Sequence, residues 1–283
     1  MSDVFKRITD KYGSVDPLTG GFTNMTYLIK SRKPLVAKIA AFSNEDLLNE
    51  KTALHHLKET ALVPEFVDIL TEETPFILIT SFEEGMNGQA ILDAGNMERA
   101  NSLFYKMGER LARDIHFYHF KDHKTPLRQG GWTFFPKIPF VSQDLINKSR
   151  PYMDVINDNP AEWVLTHGDY GAHNILFHSG DQLKVIDWEW SEWFHPLVDI
   201  AWTCWNTKLH YADIADPLNQ TFIRAYKSVN PLPSITDEEI KAYALYKIWN
   251  ILKRIPYDDK ATIEKWSTRM QWTFSAKIIQ GSL

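Results

Sequence analysis

Apolar residues follow two different patterns along the chain, and the pattern changes near residue 85. Before that point the apolar runs are short and rich in β-branched or aromatic residues, which predicts strands at 26–30, 35–40 and 76–80. Between the second and third strands, leucines recur on one face of 44–59 behind a polar Ser43, which predicts a capped helix. The first part of the chain is therefore predicted to be a small sheet with one helix.

After residue 85 the spacing of apolar residues is mainly that of amphipathic helices. It predicts helices over 97–120, about 236–255 and about 259–279, and the letters TDEE at the start of the second are typical of a capping box. Residues 121–139, rich in Gly, Pro and aromatics, are predicted to form an irregular loop. The junction EEGMNG is the predicted boundary between a β-rich lobe, residues 1–84, and a mostly helical lobe, residues 85–283.

Composition excludes several classes of partner. The chain has 283 residues, 44% hydrophobic and 24% charged, and its net charge of −5 leaves no basic surplus for nucleic acid or an anionic membrane. The single cysteine, Cys204, forms no internal disulfide, which fits a reducing compartment. The N-terminal residues lack the apolar core of a secretory signal and no apolar run is long enough to cross a bilayer, so a cytoplasmic location is expected.

A predicted hairpin brings two potential metal ligands together. Short apolar runs flank the turn letters HSGDQ, and a hairpin centred between Gly180 and Asp181 places Asn174 opposite Asp187. Cross-strand neighbours are close enough for both oxygens to bind one cation. An amide oxygen and a carboxylate suit Mg²⁺, so Asn174 and Asp187 are predicted to be metal ligands.

The residues before this hairpin complete a more specific spacing. Asp169, five residues before Asn174, lies on the loop that leads into the hairpin, where it is expected to take a proton from a hydroxyl group. His167, Asp169, Asn174 and Asp187 together have the spacing of a kinase catalytic loop followed by a metal-binding Asp. Two other interpretations remain open: these are turn and strand-end residues, or His167, Asp169 and His173 bind a transition metal.

On the letters HGDYGAHN, VIDWEW and PLVD, the sequence resembles the aminoglycoside phosphotransferases and choline kinases. These small-molecule kinases have an α+β, protein-kinase-like fold of two lobes. The resemblance therefore implies a small β-rich N-terminal lobe that binds the nucleotide and a larger, mostly helical C-terminal lobe for catalysis and the acceptor. It also implies ATP (or GTP) and Mg²⁺ as cofactors.

The resemblance assigns further roles to single residues. Lys38 in LVAKIA matches the strand lysine that binds the nucleotide phosphates, and Glu50 matches the helical glutamate that pairs with it, although Glu45 and Asp46 lie nearby. Asp199 matches a carboxylate that braces the catalytic loop, and His167 is expected to support the same loop. Gly20, Gly21, Thr23 and Asn24 match the loop that covers the phosphates in this family. Ser81, Phe82 and Glu83 match the linker between the lobes, whose backbone binds the adenine.

The acceptor is expected to be small. Only residues 188–198 separate Asp187 from Asp199, too few to form the activation segment on which protein kinases dock a peptide. A small hydroxyl-bearing molecule is therefore predicted. The resemblance implies that it also carries an amine and is aminoglycoside-like or choline-like, and no nucleic-acid or membrane partner is expected. Its candidate contacts are Glu189, Trp190, Glu192 and Trp193, of which the two glutamates could instead face metal or solvent. A nucleotide-binding pseudokinase and a metal-dependent phosphoesterase are the alternative functions.

Overall fold

The computed structural model describes residues 2–18, 24–41, 43–123, 125–178 and 182–281. The chain divides into two compact units. The first contains Met1–Asn87, Thr125–Leu127 and Asn174–Ser191, and the second contains Gly88–Lys124, Arg128–His173 and Glu192–Leu283. The first break lies three residues after the predicted boundary, but the hairpin that follows Asn174 groups with the first unit. The division of nucleotide binding and catalysis between the predicted lobes stays a prediction.

The first unit is built on an antiparallel sheet. Its strands are β1 (Val15–Pro17), β2 (Met25–Ile29), β3 (Leu35–Ile39), β4 (Phe66–Leu70) and β5 (Ile77–Ser81), in the order β1-β2-β3-β5-β4. The three strands predicted from the sequence correspond to β2, β3 and β5 within one residue at each end. The strands β1 and β4 were not predicted, because β1 is very short and Asp68 interrupts the apolar run of β4.

Two helices accompany this sheet. The helix α1 (Ser2–Tyr12) contributes Ile8 to a core that also contains Ile29, Ile39 and Ile79 of the strands. The helix α2 (Asn44–Leu57) begins after Ser43, whose hydroxyl accepts the Glu45 N–H at 3.2 Å, as the sequence predicts. Burial of the apolar face of α2 fixes the directions of Asp46 and Glu50, the two buried acidic residues of this helix.

The hairpin of the first unit consists of β9 (Ile175–Phe177) and β10 (Leu183–Val185), and β9 also pairs with β6 (Met86–Asn87). Its register differs by one residue from the prediction, because Ile175 pairs with Val185 and the Asn174 carbonyl accepts the Ile186 N–H at 3.0 Å. The hairpin is closed by the His178 N–H, which donates to Gln182 O at 2.8 Å, so three residues rather than two lie between the last pair. An odd connection shifts the pairing by one position, and Asn174 is therefore opposite Ile186 and not Asp187.

Helices dominate the second unit. They are α3 (Gly88–Asp93), α4 (Met97–Arg110), α5 (Gln143–Met153), α6 (Leu197–His210), α7 (Ala212–Val229), α8 (Asp237–Arg254) and α9 (Lys260–Ser275). A small sheet in the order β7-β11-β8 accompanies them, with strands β7 (Arg128–Gln129), β8 (Val164–Thr166) and β11 (Glu192–Phe194).

The predicted helices of this unit are present with shorter bounds. The first ends at Arg110 and continues as a π turn over Leu111–Ile115, where the His116 N–H donates to the Leu111 carbonyl at 2.8 Å. The capping box of α8 is confirmed, since Thr236 and Glu239 exchange both bonds. Among the described residues, none of the helices is both long and apolar enough to traverse a bilayer.

Candidate active site

Lys38 of β3 is at the centre of a partly buried charge cluster in the first unit. Its ammonium group donates to Glu50 Oε2 and to Asp187 Oδ1, each at 2.7 Å. Burial lowers the pKa of Lys38, but the negative charges of Asp187 and Glu50 outweigh that effect and raise the pKa well above its usual range. Of the three acidic residues that the sequence offers on α2, Glu50 is the one that pairs with the lysine.

Glu189 adds a third carboxylate to this cluster. An oxygen of Glu189 lies within 4.8 Å of oxygens of Glu50 and Asp187, and the side-chain amide of Asn24 donates to Glu189 Oε2. Glu189 is 1% exposed, and burial together with the charge of Asp187 raises its pKa to about 8. The sequence offered Glu189 as a substrate or metal residue; its buried neighbours in the first unit favour the metal alternative.

The backbone at Asp187 is in a conformation that non-glycine residues rarely adopt. Asp187 has φ 68° and ψ 63°, in the left-handed region, directly after β10. Such a conformation costs of order 1–3 kcal/mol and is found preferentially at functional sites. The helix α2 supports the segment that follows, because the Asn49 side-chain amide donates to the carbonyls of Glu189 and Ser191 at 3.2 and 2.8 Å.

These residues fit a divalent cation and a polyphosphate. Three carboxylates crowd around one ammonium group, so an added cation would relieve their repulsion, as the raised pKa of Glu189 indicates. Carboxylate oxygens and an amide oxygen are the hard ligands that Mg²⁺ takes, and Asn174, 5% exposed, lies at the start of β9 in the same unit. Lys38 supplies the positive charge that phosphate requires.

The other predicted nucleotide residues of the first unit have well-defined contacts where they are described. Gly20, Gly21 and Thr23 lie outside the described residues, while the side-chain Oδ1 of Asn24 accepts the Ala41 N–H at 3.1 Å. In the predicted linker, the Ser81 N–H donates to the Glu65 carbonyl and the Phe82 N–H to the Pro34 carbonyl. Glu83 accepts a hydrogen bond from the Ser81 hydroxyl at 2.6 Å and lies 3.4 Å from the Lys184 ammonium group.

Asp169 belongs to the second unit, where the side chains of Trp202 and His173 contact its carboxylate. The indole N–H of Trp202 donates to Oδ1 at 2.6 Å, and His173 Nε2 lies 3.3 Å from Oδ2. Burial raises the pKa of Asp169, but the charges of His173, Lys247 and His167 outweigh it and hold the pKa well below its usual range. The carboxylate is therefore ionised at neutral pH.

The loop that carries Asp169 is braced from α6. Asp199 is fully buried and accepts the His167 and Gly168 N–H groups, each at 2.8 Å, which agrees with the bracing role that the resemblance implies. Gly168 has φ +75°, a conformation that glycine adopts without strain. Asp199 also contacts the buried His116 ring at 3.0 Å, a partner that the sequence did not indicate.

The proposed transition-metal site is not formed by the described residues. His167 Nδ1 accepts the Asp169 N–H at 3.2 Å, and among the described His, Cys, Asp and Glu residues the group of three with converging ligand atoms is Glu50, Asp187 and Glu189.

Three of the predicted substrate residues, Trp190, Glu192 and Trp193, differ in how deeply they are buried. Trp193 is fully buried, with its ring centroid 5.9 Å from that of Phe120, so its prediction as a substrate contact is wrong and it is a core residue. Glu192 is hydrogen-bonded by the Tyr246 hydroxyl at 3.2 Å, and burial raises its pKa to about 7. Trp190, which belongs to the first unit, is half-buried.

Comparison with known proteins identifies a family and a relative whose sequences resemble that of this chain. The sequence model of the phosphotransferase enzyme family matches residues 14–239. A curated relative, acyl-CoA dehydrogenase family member 11 from Mus musculus, is 37% identical over 65 residues, which is 19% of this chain and 8% of that protein. The chain thus spans only a small part of this relative.

Solved structures resemble the chain over nearly its full length. The amicoumacin kinase hAmiN in complex with AMP-PNP, Ca²⁺ and Ami has a TM-score of 0.69 at 13% identity, covering 98% of this chain and 94% of that one. Aminoglycoside-3'-phosphotransferase of type VIII has a TM-score of 0.69 at 17% identity, covering 88% of this chain and 98% of that one. Choline kinase LicA from Streptococcus pneumoniae has a TM-score of 0.66 at 18% identity, covering 97% of this chain and 98% of that one. At these identities the similarity shows the fold, and the predicted α+β, protein-kinase-like fold is confirmed.

Proposed function

Because the chain belongs to the phosphotransferase enzyme family, we propose that it transfers the γ-phosphate of ATP to a hydroxyl group of a small, amine-bearing molecule. The observation that carries this proposal is the Lys38 side chain, which is only 13% exposed and whose ammonium group pairs at 2.7 Å with both Glu50 and Asp187. A lysine held in this way is pre-positioned to bind phosphate oxygens, and its acidic neighbours provide ligands for a cation.

Each residue has a distinct part in the proposed reaction. Lys38, held by Glu50, would bind the phosphates of the nucleotide, and Asn174 and Asp187, joined by Glu189, would hold Mg²⁺. When bound, this ion neutralises the charge of the β- and γ-phosphates. Asp169 orients the acceptor hydroxyl and takes its proton as the new oxygen–phosphorus bond forms, while ADP leaves with the electron pair of the broken bond. Most of the rate enhancement comes from positioning and charge neutralisation. The His167 and Asp199 contacts keep the loop of Asp169 in place.

The adenine is proposed to bind to the backbone of residues 81–83. Since the N–H groups of Ser81 and Phe82 donate within the protein, we expect the donor to adenine at Glu83 or after it. ATP is proposed ahead of GTP because the amicoumacin kinase that this chain resembles was solved with AMP-PNP. The amine on the acceptor is proposed because aminoglycoside phosphotransferases and a choline kinase are among the structural neighbours.

The test is ADP release from ATP and Mg²⁺ against a panel of acceptors. The panel contains aminoglycosides, macrolides, choline, ethanolamine, thiamine and sugars, and GTP replaces ATP in a parallel series. Turnover is expected with ATP and with an amine-bearing member of the panel. Nucleotide binding without ADP release under any condition would favour a pseudokinase, and phosphate release from monoesters without nucleotide would favour a phosphoesterase; either result would overturn the proposal.

A further inference from the structure

We infer that Trp202 is a positioning residue for phosphoryl transfer, because its indole N–H fixes the orientation of the Asp169 carboxylate. The inference rests on the proposed function, in which Asp169 orients the acceptor hydroxyl. It adds a residue of α6 that lies outside the catalytic-loop motif and that the sequence did not single out as a partner of Asp169.

The contact itself is short and well protected. Trp202 Nε1 lies 2.6 Å from Asp169 Oδ1, and the Trp202 side chain is only 3% exposed. The indole nitrogen is a donor only, so it contacts the carboxylate oxygen as an N–H group. Hydrogen bonds to an ionised acceptor are shorter and stronger than neutral ones, and the burial of Trp202 keeps water away from the donor of this one. The other carboxylate oxygen, Oδ2, lies 3.3 Å from His173 Nε2. Rotation of the Asp169 carboxylate would therefore break its contacts with both Trp202 and His173.

Trp202 is held in turn by packing between helices of the second unit. Its ring stacks on that of Trp205 with a centroid distance of 4.7 Å and an interplanar angle of 15°. The ring of Trp266 in α9 lies at 6.3 Å and 22°, and the Lys247 ammonium group of α8 lies 5.7 Å from the Trp202 ring. The donor to Asp169 is therefore set by helical packing, which is more rigid than the loop that carries the carboxylate.

The charge state of Asp169 makes orientation the main part of its role. The nearby charges of His173, Lys247 and His167 hold its pKa well below the usual range, so the carboxylate is a weak proton acceptor at neutral pH. A phosphoryl-transfer transition state is loose and depends chiefly on the alignment of the attacking oxygen. The side chain that fixes the direction of the carboxylate then contributes to the rate, even though it touches no reacting atom.

A purely structural role for Trp202 makes a different prediction. A buried tryptophan needs a partner for its N–H, and Asp169 could serve only that need. In that case removal of the N–H lowers the stability of the protein and leaves the kinetics of the remaining folded enzyme unchanged. The two roles are therefore separated by a substitution that keeps the stacked ring and removes the donor.

Trp202→Phe is this substitution, and Trp249→Phe is its matched control. Trp249 of α8 is also fully buried, but its indole N–H donates to the Ser149 hydroxyl at 3.1 Å, and its ring packs against those of Trp132 and Phe135. With ATP, Mg²⁺ and the panel acceptor of highest turnover, Trp202→Phe is expected to lower kcat by roughly 10–100-fold with an unchanged KM for ATP. Both substitutions are expected to lower Tm, but Trp249→Phe is expected to keep the wild-type kcat.

A second measurement does not require turnover. In a ¹H–¹⁵N spectrum, the indole resonance that Trp202→Phe removes is expected at low field, as for a short bond to a carboxylate. This resonance is expected to move upfield in Asp169→Asn, while the Trp249 resonance stays in place. A Trp202 resonance that does not respond to Asp169→Asn would overturn the inference.

The kinetic outcomes distinguish this inference from the proposed function. Wild-type protein that releases no ADP with any acceptor of the panel overturns the proposed function and the inference with it. Active wild-type protein together with an unimpaired Trp202→Phe, or an equal loss of kcat in both tryptophan variants, overturns the inference alone.

Discussion

Asp169 is the residue on which the proposed chemistry depends most directly. Asp169→Asn keeps the size of the side chain and an acceptor oxygen but removes the charge, so kcat is expected to fall by roughly 10²–10⁴-fold. The residues proposed to hold the phosphates are unchanged, and the ATP-induced rise in Tm should therefore persist. ADP release and thermal unfolding measure both effects. Asp213→Asn, an exposed acid on α7, is the control, and full turnover in Asp169→Asn would contradict the role.

Glu50 is expected to act through Lys38. Glu50→Gln removes a charged partner of the ammonium group at 2.7 Å, and hydrogen bonds to charged groups contribute about 1.5–3 kcal/mol. Apparent affinity for ATP, measured as KM or by titration, is expected to weaken by roughly tenfold or more. Glu45→Gln on the exposed side of the same helix should leave it unchanged. Equal effects of the two substitutions would contradict the pairing.

Glu192 is expected to make the stability of the protein depend on pH. Burial raises its pKa to about 7, against the opposing charges of Lys247 and Arg128 and the bond from Tyr246. An acid with a raised pKa binds its proton more tightly in the folded state, so the free energy of unfolding falls as pH rises from about 4.5 to about 7. Glu192→Gln should remove this loss and be more stable than wild type by about 1–3 kcal/mol at pH 8, with little difference at pH 4.5.

Urea unfolding at the two pH values measures this effect. The gain in Glu192→Gln should vanish at the lower pH, because both side chains are then uncharged. A gain that is the same at both values would show that titration of Glu192 is not its cause.

Site residues that belong to short motifs could be predicted from the sequence. Contacts between site residues that are far apart in the sequence could not. Lys38, Glu50 and Asp169 could be proposed from short motifs. The pairing of Trp202 with Asp169 spans 33 residues and that of Asn24 with Glu189 spans 165, so no local pattern indicates them. Trp193 was a misleading candidate, because an aromatic residue beside acidic ones is typical of both binding sites and cores.

At the scale of single elements, α2 supports the segment that carries Asp187. The Asn49 side-chain amide donates to two buried backbone carbonyls of that segment, and Asn49→Ala removes both bonds. Loss of these bonds is expected to lower the free energy of unfolding by about 1–3 kcal/mol, measured by urea denaturation. Glu45→Gln, an exposed position of the same helix, again serves as the control. A loss in Asn49→Ala no larger than in the control would contradict this support.

Elements were predictable where one face is apolar and the other polar. The helix α8 has both an amphipathic pattern and a capping box, and its bounds were found within about one residue. The helix α6 was not predicted, because ten of its residues are buried and a helix buried on most sides shows no period. The hairpin was predicted but its register was not, since the register depends on whether an odd or even number of residues connects the strands.

At the scale of the molecule, the sequence predicts two parts but not how the chain is shared between them. Residues 174–191 belong to the first unit through contacts distant in sequence, such as the Val185 N–H with the Leu62 carbonyl at 2.8 Å. Apolar patterns report local structure and carry no information on such pairings. The family match over residues 14–239 covers both units, which is why the resemblance could supply the fold that periodicity alone could not.

Binding of ATP with Mg²⁺ should stabilise the whole protein by mass action. At a concentration of 100 Kd, the expected gain is about 2.7 kcal/mol, which corresponds to a rise in Tm of about 5–10 °C for a chain of this size. Lys38→Met is expected to abolish most of this rise, because the methionine has no charge for the phosphates. Lys33→Met, at an exposed position before β3, should keep it. EDTA should reduce the rise in wild-type protein, because the buried carboxylates would then face the phosphates without a cation between them. A rise that survives both Lys38→Met and EDTA would mean that the nucleotide binds elsewhere.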